Sequence, residues 1–488
     1  MKTNRLLQLL TVVLFLTFAC KKEQYIAPTI TGAGTDTTVL NIGDKIILAP
    51  TITNTRGNSY TWLVNGKEVL TGELSYTFVA TEPGHFEVKL KVNNEGGLAE
   101  QAFKLFVEKP ITLSIPEGLS INLSAVTEIT PGVDGPDRDD YTYVWSIGDS
   151  IISKKRNLSF ISPEAGTFAL TLKATAGKQS ASFTRQVTVK TGTLVKNAYT
   201  VLEFAPAPGK WHNWSIIGSR DLWDLGFEQP LPYNDFLAKA SEQRKTNNSA
   251  SLFVGAWGGY ATFQFDHTVA NVAGKTDLEL TAFYSNRDLP AVYVAYDRNK
   301  NGKPEEDEWY EIKTADYGLE DSSDYAMTFT YDSVVKDDKK AAVYYSWKDN
   351  RSTPLQGQIV NTVIYSSAMT YAGYVSIRGF FPGLNFIDFN TKQIGMLAGW
   401  PTTFTRRGKR LTKNVTGAAA FWQKMNIDID LAVNSKGESV ELPGIDFVKV
   451  RKVVYPLQKL AAYPELQDYN MEEGRMLQVG SILDRNLK

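Results

Sequence analysis

The sequence is poor in cysteine and histidine. Among its 488 residues there is one cysteine, Cys20, and the histidines are His85, His212 and His267. A single cysteine forms no disulfide bond within the chain, so packing must stabilise its domains. Three histidines leave little material for a Ser-His-Asp triad or a histidine-rich zinc site. Hydrolysis by paired carboxylates stays open, because aspartate and glutamate total 53.

The sequence also lacks an excess of charge of either sign. Its 52 basic and 53 acidic side chains leave a formal net charge of −1, which offers no basic surface for nucleic acid. A composition that is 43% hydrophobic and 22% charged is that of a globular protein. The length indicates about three domains.

The N-terminus follows the order of a secretory signal. Two basic residues, an apolar run and a small residue precede Cys20, namely Lys2, Arg5, Leu6–Phe18 and Ala19. Residues 16–20, Leu-Thr-Phe-Ala-Cys, resemble the lipobox that lipoprotein signal peptidase reads. We therefore predict a signal peptide over residues 1–19, lipid on Cys20 and a lipid-anchored linker over residues 20–27. The alternative is a plain signal peptide followed by a chance cysteine.

Two segments near the N-terminus repeat one pattern. Trp62 and Trp145 lie 83 residues apart, and each is followed by a glycine turn and an alternating strand such as Phe86–Val92. This period fits one small β-sandwich per repeat. The segments resemble PKD-like immunoglobulin-fold modules, so we predict modules over residues 28–109 and 110–191. They would act as spacers, with the two tryptophans in their cores.

Strand-like patterns continue through residues 195–488. The clearest runs are Tyr260–Phe265, Asp277–Phe283, Ala291–Tyr296, Tyr374–Ile377 and Phe447–Val454. Helical periodicity is local, and residues 234–244 are the best candidate. The sequence therefore predicts an all-β protein, in which two Ig-like/PKD-like β-sandwiches precede a larger β-sandwich of jelly-roll type.

Several blocks of this last domain resemble a family of PKD-domain cell-surface lipoproteins from Bacteroidota. They are residues 204–209, 255–260, 265–267, 297–312, 347–350 and 442–450. Members of that family also occur beside TonB-dependent uptake systems, including those for corrinoids and glycans, so the resemblance implies capture rather than catalysis. Residues 359–405 and 465–488 depart from the family pattern. Loops that select a ligand would lie in such regions, so the resemblance does not identify the ligand.

The segment Asp297–Glu308 satisfies the calcium-loop pattern D-x-[DN]-x-[DN]-G-x5-E. Its oxygen ligands would come from Asp297, Asn299, Asn301, the Lys303 carbonyl, Glu305 and Glu308. The flanks are strand-like, so we predict a structural calcium loop between two strands rather than an EF-hand. Two neutral asparagines predict a modest affinity, suited to extracellular calcium. The alternative is a β-hairpin that turns at Asn301-Gly302.

Flat ligand faces stack on exposed aromatic rings. We predict ligand contacts from the aromatic residues in or near the best-matching blocks, Trp211, Trp214, Trp257, Tyr260 and Trp309. The alternative for each is a place in the core. Asp428 and Asp430 alternate along one predicted strand face, and solvated strand charges are the ordinary explanation for such a pair.

These features together predict a non-enzymatic lipoprotein of the outer membrane, with its domains on the cell surface. Residues 21–24, Lys-Lys-Glu-Gln, partly resemble the export signal of surface lipoproteins in Bacteroidota. The last domain would capture a nutrient, such as a corrinoid or a glycan, for a TonB-dependent transporter or another surface lipoprotein. Two alternatives stay open: a glycan-active hydrolase with a carboxylate pair in the last domain, and a purely structural or adhesive surface protein.

Overall fold

The computed structural model describes residues 25–32, 36–197, 199–207, 233–246, 251–255, 258–284, 290–314, 316–336, 340–354, 356–364, 386–388, 393–395, 403–411, 421–453 and 477–487. These residues form 34 β-strands, one α-helix and two short 3-10 helices, which confirms the predicted all-β class. Within these ranges no helix has the length and apolar character needed to cross a membrane. Cys20, Trp211, Trp214 and Trp257 lie outside them, as does the predicted strand Tyr374–Ile377.

The chain divides into two compact units. One comprises Met1–Glu117, Thr130–Arg156 and Leu170–Arg185, and the other comprises Gly118–Ile129, Asn157–Ala169 and Gln186–Lys488. Residues of the second predicted module are thus distributed over both units. The predicted module boundaries, at residues 109/110 and 191/195, remain predictions.

The first module is a sandwich of nine strands. These are β1 (Thr29–Thr31), β2 (Thr38–Leu40), β3 (Lys45–Leu48), β4 (Thr51–Thr53), β5 (Ser59–Val64), β6 (Lys67–Thr71), β7 (Tyr76–Val79), β8 (Gly84–Asn94) and β9 (Gly97–Val107). A five-stranded sheet has the order β2-β9-β8-β5-β6, and two pairs, β1-β4 and β3-β7, accompany it. Alternation along β8 fully buries Val88, Leu90 and Val92.

Trp62 lies at the centre of this module, as predicted. It is on β5, is fully buried, and has its ring centroid 5.7 Å from that of Tyr76 and 5.9 Å from that of Phe103. Its indole N–H donates to the Glu73 carbonyl oxygen at 3.0 Å, so the buried polar atom is satisfied.

The next nine strands repeat this arrangement. They are β10 (Thr112–Ser114), β11 (Ser120–Ile121), β12 (Thr127–Ile129), β13 (Gly132–Asp134), β14 (Thr142–Ile147), β15 (Ser150–Ser153), β16 (Leu158–Phe160), β17 (Gly166–Ala176) and β18 (Gln179–Val189). Their main sheet, β11-β18-β17-β14-β15, has strand for strand the order of the first. Trp145 on β14 is fully buried and donates to the Lys155 carbonyl oxygen at 3.0 Å. The repeat predicted from the tryptophan spacing is therefore a repeat of sheet topology.

The C-terminal part contains sixteen strands and the helix. They are β19 (Tyr199–Ala205), α1 (Tyr233–Thr246), β20 (Leu252–Gly255), β21 (Tyr260–Ala270), β22 (Leu278–Tyr284), β23 (Pro290–Ala295), β24 (Trp309–Ile312), β25 (Glu320–Lys336), β26 (Lys340–Asp349), β27 (Gln356–Ile364), β28 (Phe386–Asp388), β29 (Gln393–Gly395), β30 (Thr403–Leu411), β31 (Phe421–Ile427), β32 (Ala432–Val433), β33 (Gly444–Lys452) and β34 (Leu477–Asp484). The predicted helix and four of the five predicted strand runs are confirmed.

Eight of these strands have the order of a jelly roll. One sheet is β20-β34-β22-β31, and the other contains β21-β33-β23-β24, extended by β19 and β32 at its edges. If the eight strands are lettered B to I along the chain, the sheets read B-I-D-G and C-H-E-F, which is jelly-roll topology. The predicted jelly-roll sandwich is confirmed by this order.

The core of the sandwich lies between the two sheets. Alternate residues of neighbouring strands are fully buried there, including Phe263 on β21, Leu280 on β22 and Val450 on β33. Helix α1 adds Phe236, whose ring centroid lies 5.0 Å from that of Phe204. Burial of a large apolar side chain contributes about 1.5–3 kcal/mol, so this cluster stabilises the domain without any disulfide.

An additional sheet is inserted between β24 and β31. Its order is β27-β26-β25-β30. Lys409 on its last strand has a side chain that is only 2% exposed, and it pairs with Glu311 on β24 and with Asp316 at 2.8 Å. This buried ion pair fixes the end of the insertion against the six-stranded sheet.

Candidate ligand-binding face

The face of the six-stranded sheet that points away from the core carries the candidate site. On β33, Val448 and Val450 belong to the core, so the alternating residues Lys449 and Arg451 project from the opposite face. The antiparallel register places Tyr260 opposite Arg451, and Tyr293 opposite Lys449. Trp309 lies one strand further, opposite Ala295. We call Tyr260, Tyr293, Trp309, Lys449 and Arg451 the cation–aromatic cluster.

Distances within the cluster are short enough for direct cation–π attraction. Lys449 Nζ lies 4.1 Å from the ring centroid of Trp309 and 5.4 Å from that of Tyr260. The guanidinium carbon of Arg451 lies 4.8 Å from the centroid of Tyr260 and 5.7 Å from that of Tyr293. Such contacts contribute about 0.5–2 kcal/mol each, depending on desolvation. All five side chains are partly buried, so the cluster is ordered without being sealed into the core.

Carboxylates beside the cluster are engaged by other groups. Glu203 on β19 accepts hydrogen bonds from the hydroxyls of Tyr260 at 2.6 Å and Thr262 at 3.3 Å. Glu311 pairs with Lys409. Within the described part of the chain, Lys449 and Arg451 have no ion-pair partner, and Arg451 Nε is buried without a hydrogen bond. The cluster therefore holds two cationic groups without an ion pair, and Glu203 and Glu306 attract Lys449 only at longer range.

Burial shifts the pKa values of cations on this face. It lowers the pKa of Lys449 to about 8, and repulsion by Arg451 acts in the same direction. Burial also lowers the pKa of Arg406, on strand β30 of the inserted sheet, to about 10. A desolvated cation gains free energy when an anion comes into contact with it. The electrostatics of this face therefore suit a ligand that carries negative charge.

The structure brings together two of the predicted ligand contacts, Tyr260 and Trp309. Sequence reasoning missed Tyr293, Lys449 and Arg451. The alternation in residues 447–452, Phe-Val-Lys-Val-Arg-Lys, was the available signal, because it places a lysine and an arginine on one strand face.

The predicted calcium loop also lies on this sheet, between β23 and β24. Its strand flanks are as predicted, and residues Glu306–Glu308 form one turn of 3-10 helix. Lys300 and Gly302 have positive φ angles of 55° and 76°, which a tight turn requires. Glycine adopts this conformation without strain.

The carboxylates of the loop bind its own backbone. Asp297 accepts hydrogen bonds from the backbone N–H of Asn301 at 3.0 Å and of Gly302 at 2.7 Å. Glu308 accepts from the backbone N–H of Arg298 and of Glu305, both at 3.0 Å. Asp297 and Glu308 are 8% and 2% exposed, so the two ends of the loop are held together by nearly buried acids.

The donor set of the loop is made only of oxygen atoms, which calcium prefers. Asn299 accepts from the backbone N–H of Asn301, and the Asn301 side chain donates to Glu305 at 2.7 Å. Among the described residues, no three His, Cys, Asp or Glu side chains are grouped for a metal. An ion here would therefore also need the asparagine oxygens and the Lys303 carbonyl.

A cavity of about 360 Å³ opens beside the start of this loop, lined by Asp266, His267, Tyr296, Asp297 and Asp446 among others. The His267 side chain is 3% exposed. Its ring nitrogens lie 2.6 Å from an Asp266 oxygen and 3.0 Å from an Asp484 oxygen. Burial alone would lower the pKa of His267, but the hydrogen bonds to Asp484 and Asp266 outweigh it and raise the pKa.

Carboxylates also meet at this cavity. Burial raises the pKa of Asp446, which accepts hydrogen bonds from the Thr268 hydroxyl at 2.6 Å and the Asp297 backbone N–H at 2.8 Å. A carboxyl with a raised pKa beside other carboxyl groups is a composition that acid–base catalysis uses. The sequence did not single out these carboxyl groups. A carboxylate-based hydrolase would use them as its catalytic residues.

Asp428 and Asp430 have structural roles. Asp428 accepts a hydrogen bond from the Asp430 backbone N–H at 2.9 Å and caps the 3-10 helix Ile429–Leu431. Asp430 accepts from Asn271 Nδ2 and the Gly274 backbone N–H, both at 3.0 Å. The hydrogen bonds of Asp430 link the segment after β31 to the segment after β21. Neither aspartate lines the cavity.

Comparison with known proteins identifies one domain. Residues 32–94 match the model of the PKD-like domain, within the first predicted module. No curated protein matches the chain. Similar solved structures include the four N-terminal Ig domains of Dscam1 isoform 8.4, at 15% identity and a TM-score of 0.22, over 34% of this chain and 46% of that one. The chain thus covers about half of the length of the Dscam fragments that it matches.

Two other similar structures come from a bacteriophage and a bacterium. Three N-terminal domains of the highly immunogenic outer capsid protein of bacteriophage RB49 align at 12% identity with a TM-score of 0.21, over 66% of this chain and 93% of that one. The fibronectin(III)-like modules of Clostridium thermocellum CbhA align at 13% identity with a TM-score of 0.19, over 33% and 94%.

We expect stability to depend on pH through His267. Its pKa is raised on folding, so its stabilising contribution is complete below the unfolded value of about 6.5 and is lost as the pH rises through the folded value. His267→Gln should remove that part of the pH dependence. Urea unfolding of the full chain between about pH 5.5 and 8.5 measures it.

The matched control is His85→Gln, in the first module, where His85 stacks on Phe106 at 4.5 Å. This variant should retain the pH dependence of the C-terminal sandwich. If His267→Gln unfolds with the same pH profile as the unaltered chain, the two aspartates do not hold a protonated histidine.

Proposed function

We propose that the C-terminal sandwich captures a ligand on the face that holds the cation–aromatic cluster. Three aromatic rings and two cations without an acidic partner lie on one side of one sheet, and this observation supports the proposal. Aromatic faces and a few placed polar groups are the usual composition of a ligand site. The ligand is a nutrient such as a corrinoid or a glycan, and the chain binds it without chemical change.

The N-terminal region supports the same role. A PKD-like domain over residues 32–94 and an Ig-like sandwich fold indicate a surface or adhesive module, and such domains are typically non-catalytic. We infer that the two modules are spacers that hold the capturing domain away from a membrane. The blocks of sequence quoted above support membership of the PKD-domain surface lipoproteins of Bacteroidota.

The anchor of the protein is lipid on Cys20. The order of charge, apolar run and small residue before Cys20 supports cleavage after residue 19 and attachment to the outer membrane. Residues 21–24 support an outward-facing position. The partner that receives the ligand would be a TonB-dependent transporter or another surface lipoprotein.

Replacing Cys20 with serine should release the protein from membranes, because the thiol is the group that takes the lipid. Labelling of growing cells with radioactive palmitate should mark the unaltered protein and not Cys20→Ser. Protease added to intact cells should degrade the anchored protein. Lack of label on the unaltered protein contradicts the anchor, and protection from protease places the domains in the periplasm.

We also infer that the loop Asp297–Glu308 binds calcium with a structural role. The all-oxygen donor set, the tight turn at Gly302 and the nearly buried Asp297 and Glu308 support this. An ion held here would stabilise the connection between β23 and β24, and thereby the position of Trp309 at the end of the loop.

Calcium should raise the thermal midpoint of the C-terminal sandwich as its concentration rises from micromolar to millimolar, since an ion that binds only the native state stabilises it by mass action. Asp297→Asn should abolish the shift. Asp307→Asn, an exposed acid in the same loop that pairs with Arg298, is the matched control and should retain it. A midpoint that does not respond to calcium in the unaltered chain favours the plain hairpin.

A second candidate function is glycan hydrolysis at the cavity beside the calcium loop. The raised pKa of Asp446 next to Asp297 and Asp266 is the observation that favours it. Asp446 would act as general acid and a second carboxylate as base or nucleophile. Release of reducing ends from a bound polysaccharide, lost in Asp446→Asn, would establish this function in place of capture.

Calorimetric titration of the full chain with corrinoids and polysaccharides tests the capture proposal. Trp309→Ala should weaken binding of the recognised ligand by roughly 0.5–1.5 kcal/mol, the contribution of one aromatic contact. Phe183→Ala removes another aromatic–cation contact, with Arg185 at 5.3 Å in the second module, and should leave affinity unchanged. Equal affinity in Trp309→Ala and in the unaltered chain excludes this face as the binding site.

A further inference from the structure

We propose that the ligand of this face is an acidic polysaccharide, with its carboxylates against Lys449 and Arg451 and its sugar rings on Tyr260 and Trp309. This inference rests on the capture function proposed above and names the class of ligand. It follows from the charge, the spacing and the chemistry of the cation–aromatic cluster.

The face holds cations without a direct acidic partner. Lys449 and Arg451 lie on β33 and Arg406 lies on β30, and the acids that act on Lys449, Glu203 and Glu306, do so at longer range than an ion pair. Two further acids, Glu311 and Asp316, share the buried Lys409. Among the described side chains, Lys449 and Arg451 therefore lack a carboxylate at ion-pair distance.

Spacing along β33 suits a ligand with more than one charge. Lys449 and Arg451 are two residues apart on the same face, so their Cα atoms are separated by about 6.6 Å. Each cation also lies against an aromatic ring. A polymer with repeated carboxylates can thus place charge at both positions while its sugar rings lie on the aromatic faces.

A neutral ligand would suit this face less well. It would exclude water from Lys449 and Arg451 without supplying a counter-charge, which costs free energy. Lys449 already has little solvation, and the buried Arg451 Nε has no acceptor. A carboxylate would provide both the charge and the missing acceptor.

The experiment measures binding of polygalacturonate, alginate and hyaluronate to the full chain in two buffers: one with calcium, which would keep the loop Asp297–Glu308 occupied, and one with EDTA, in which calcium cannot bridge the anions to the protein. Each polymer is compared with its carboxyl-reduced form, which keeps the sugar chain and removes the charge. We expect at least one acidic polymer to bind, and its reduced form to bind about tenfold or more weakly.

Variants of Lys449 separate its charge from its packing. Lys449→Met keeps an apolar stem of similar length and should weaken binding about tenfold or more at pH 7. Lys449→Arg keeps the charge and should bind. Lys275→Met, on an exposed turn, is the control and should bind like the unaltered chain. Circular dichroism and thermal unfolding establish that each variant is folded.

The affinity for the acidic polymer should also depend on pH, because Lys449 loses its charge as the pH rises. Because the pKa of Lys449 lies at about 8, affinity of the unaltered chain should fall between pH 7 and 9.5. Lys449→Arg should show no such fall, because arginine stays charged.

Four results would overturn the inference. If none of the three acidic polymers binds, or if a polymer and its carboxyl-reduced form bind equally, the face does not select an anion. If a neutral glycan or a corrinoid binds instead and Trp309→Ala weakens it, the capture function stands and the acidic ligand does not. Unchanged binding in folded Lys449→Met likewise excludes the proposed role of this lysine.

Discussion

The two-residue period of β33 organises the C-terminal sandwich. This strand lies between β21 and β23 in the middle of the six-stranded sheet, so its apolar residues complete the core on one side. The same period obliges the intervening residues to face the other way. Lys449 and Arg451 are therefore held at fixed positions by the burial of Val448 and Val450, and the geometry of the outer face follows from the packing of the inner one.

The jelly-roll order brings distant parts of the sequence to that face. Tyr260, Trp309 and Lys449 are far apart in the chain, but β21, β33, β23 and β24 are neighbours in one sheet. Register then determines which rings meet which cations. The cation–aromatic cluster is thus a property of topology as much as of local sequence.

This explains how much could be predicted from the sequence. Alternation and repeat spacing are local signals, and they were sufficient for the strands, for Trp62 and Trp145 as core residues, and for an all-β jelly-roll fold. Tyr260 and Trp309 were found as separate residues because family blocks contain them. The contact of Tyr260 with Lys449 depends on the pairing of β21 with β33, between residues nearly 200 positions apart. The contact of Trp309 with Lys449 depends on the pairing of β23 with both β24 and β33, and no local pattern contains either arrangement. The hydrogen bonds that make Asp428 a cap are equally invisible without coordinates.

The inserted sheet is formed by residues between β24 and β31. It separates these two strands along the chain but leaves the strand order of both jelly-roll sheets unchanged. Its last strand approaches the cluster closely: a Cβ atom on Gly408 would lie 3.3 Å from Arg451 Cδ, and one on Gly258 would lie 3.0 Å from Arg406 Cβ. The border of the outer face of β33 is therefore set by residues of the insertion, which lie far from β33 in the sequence.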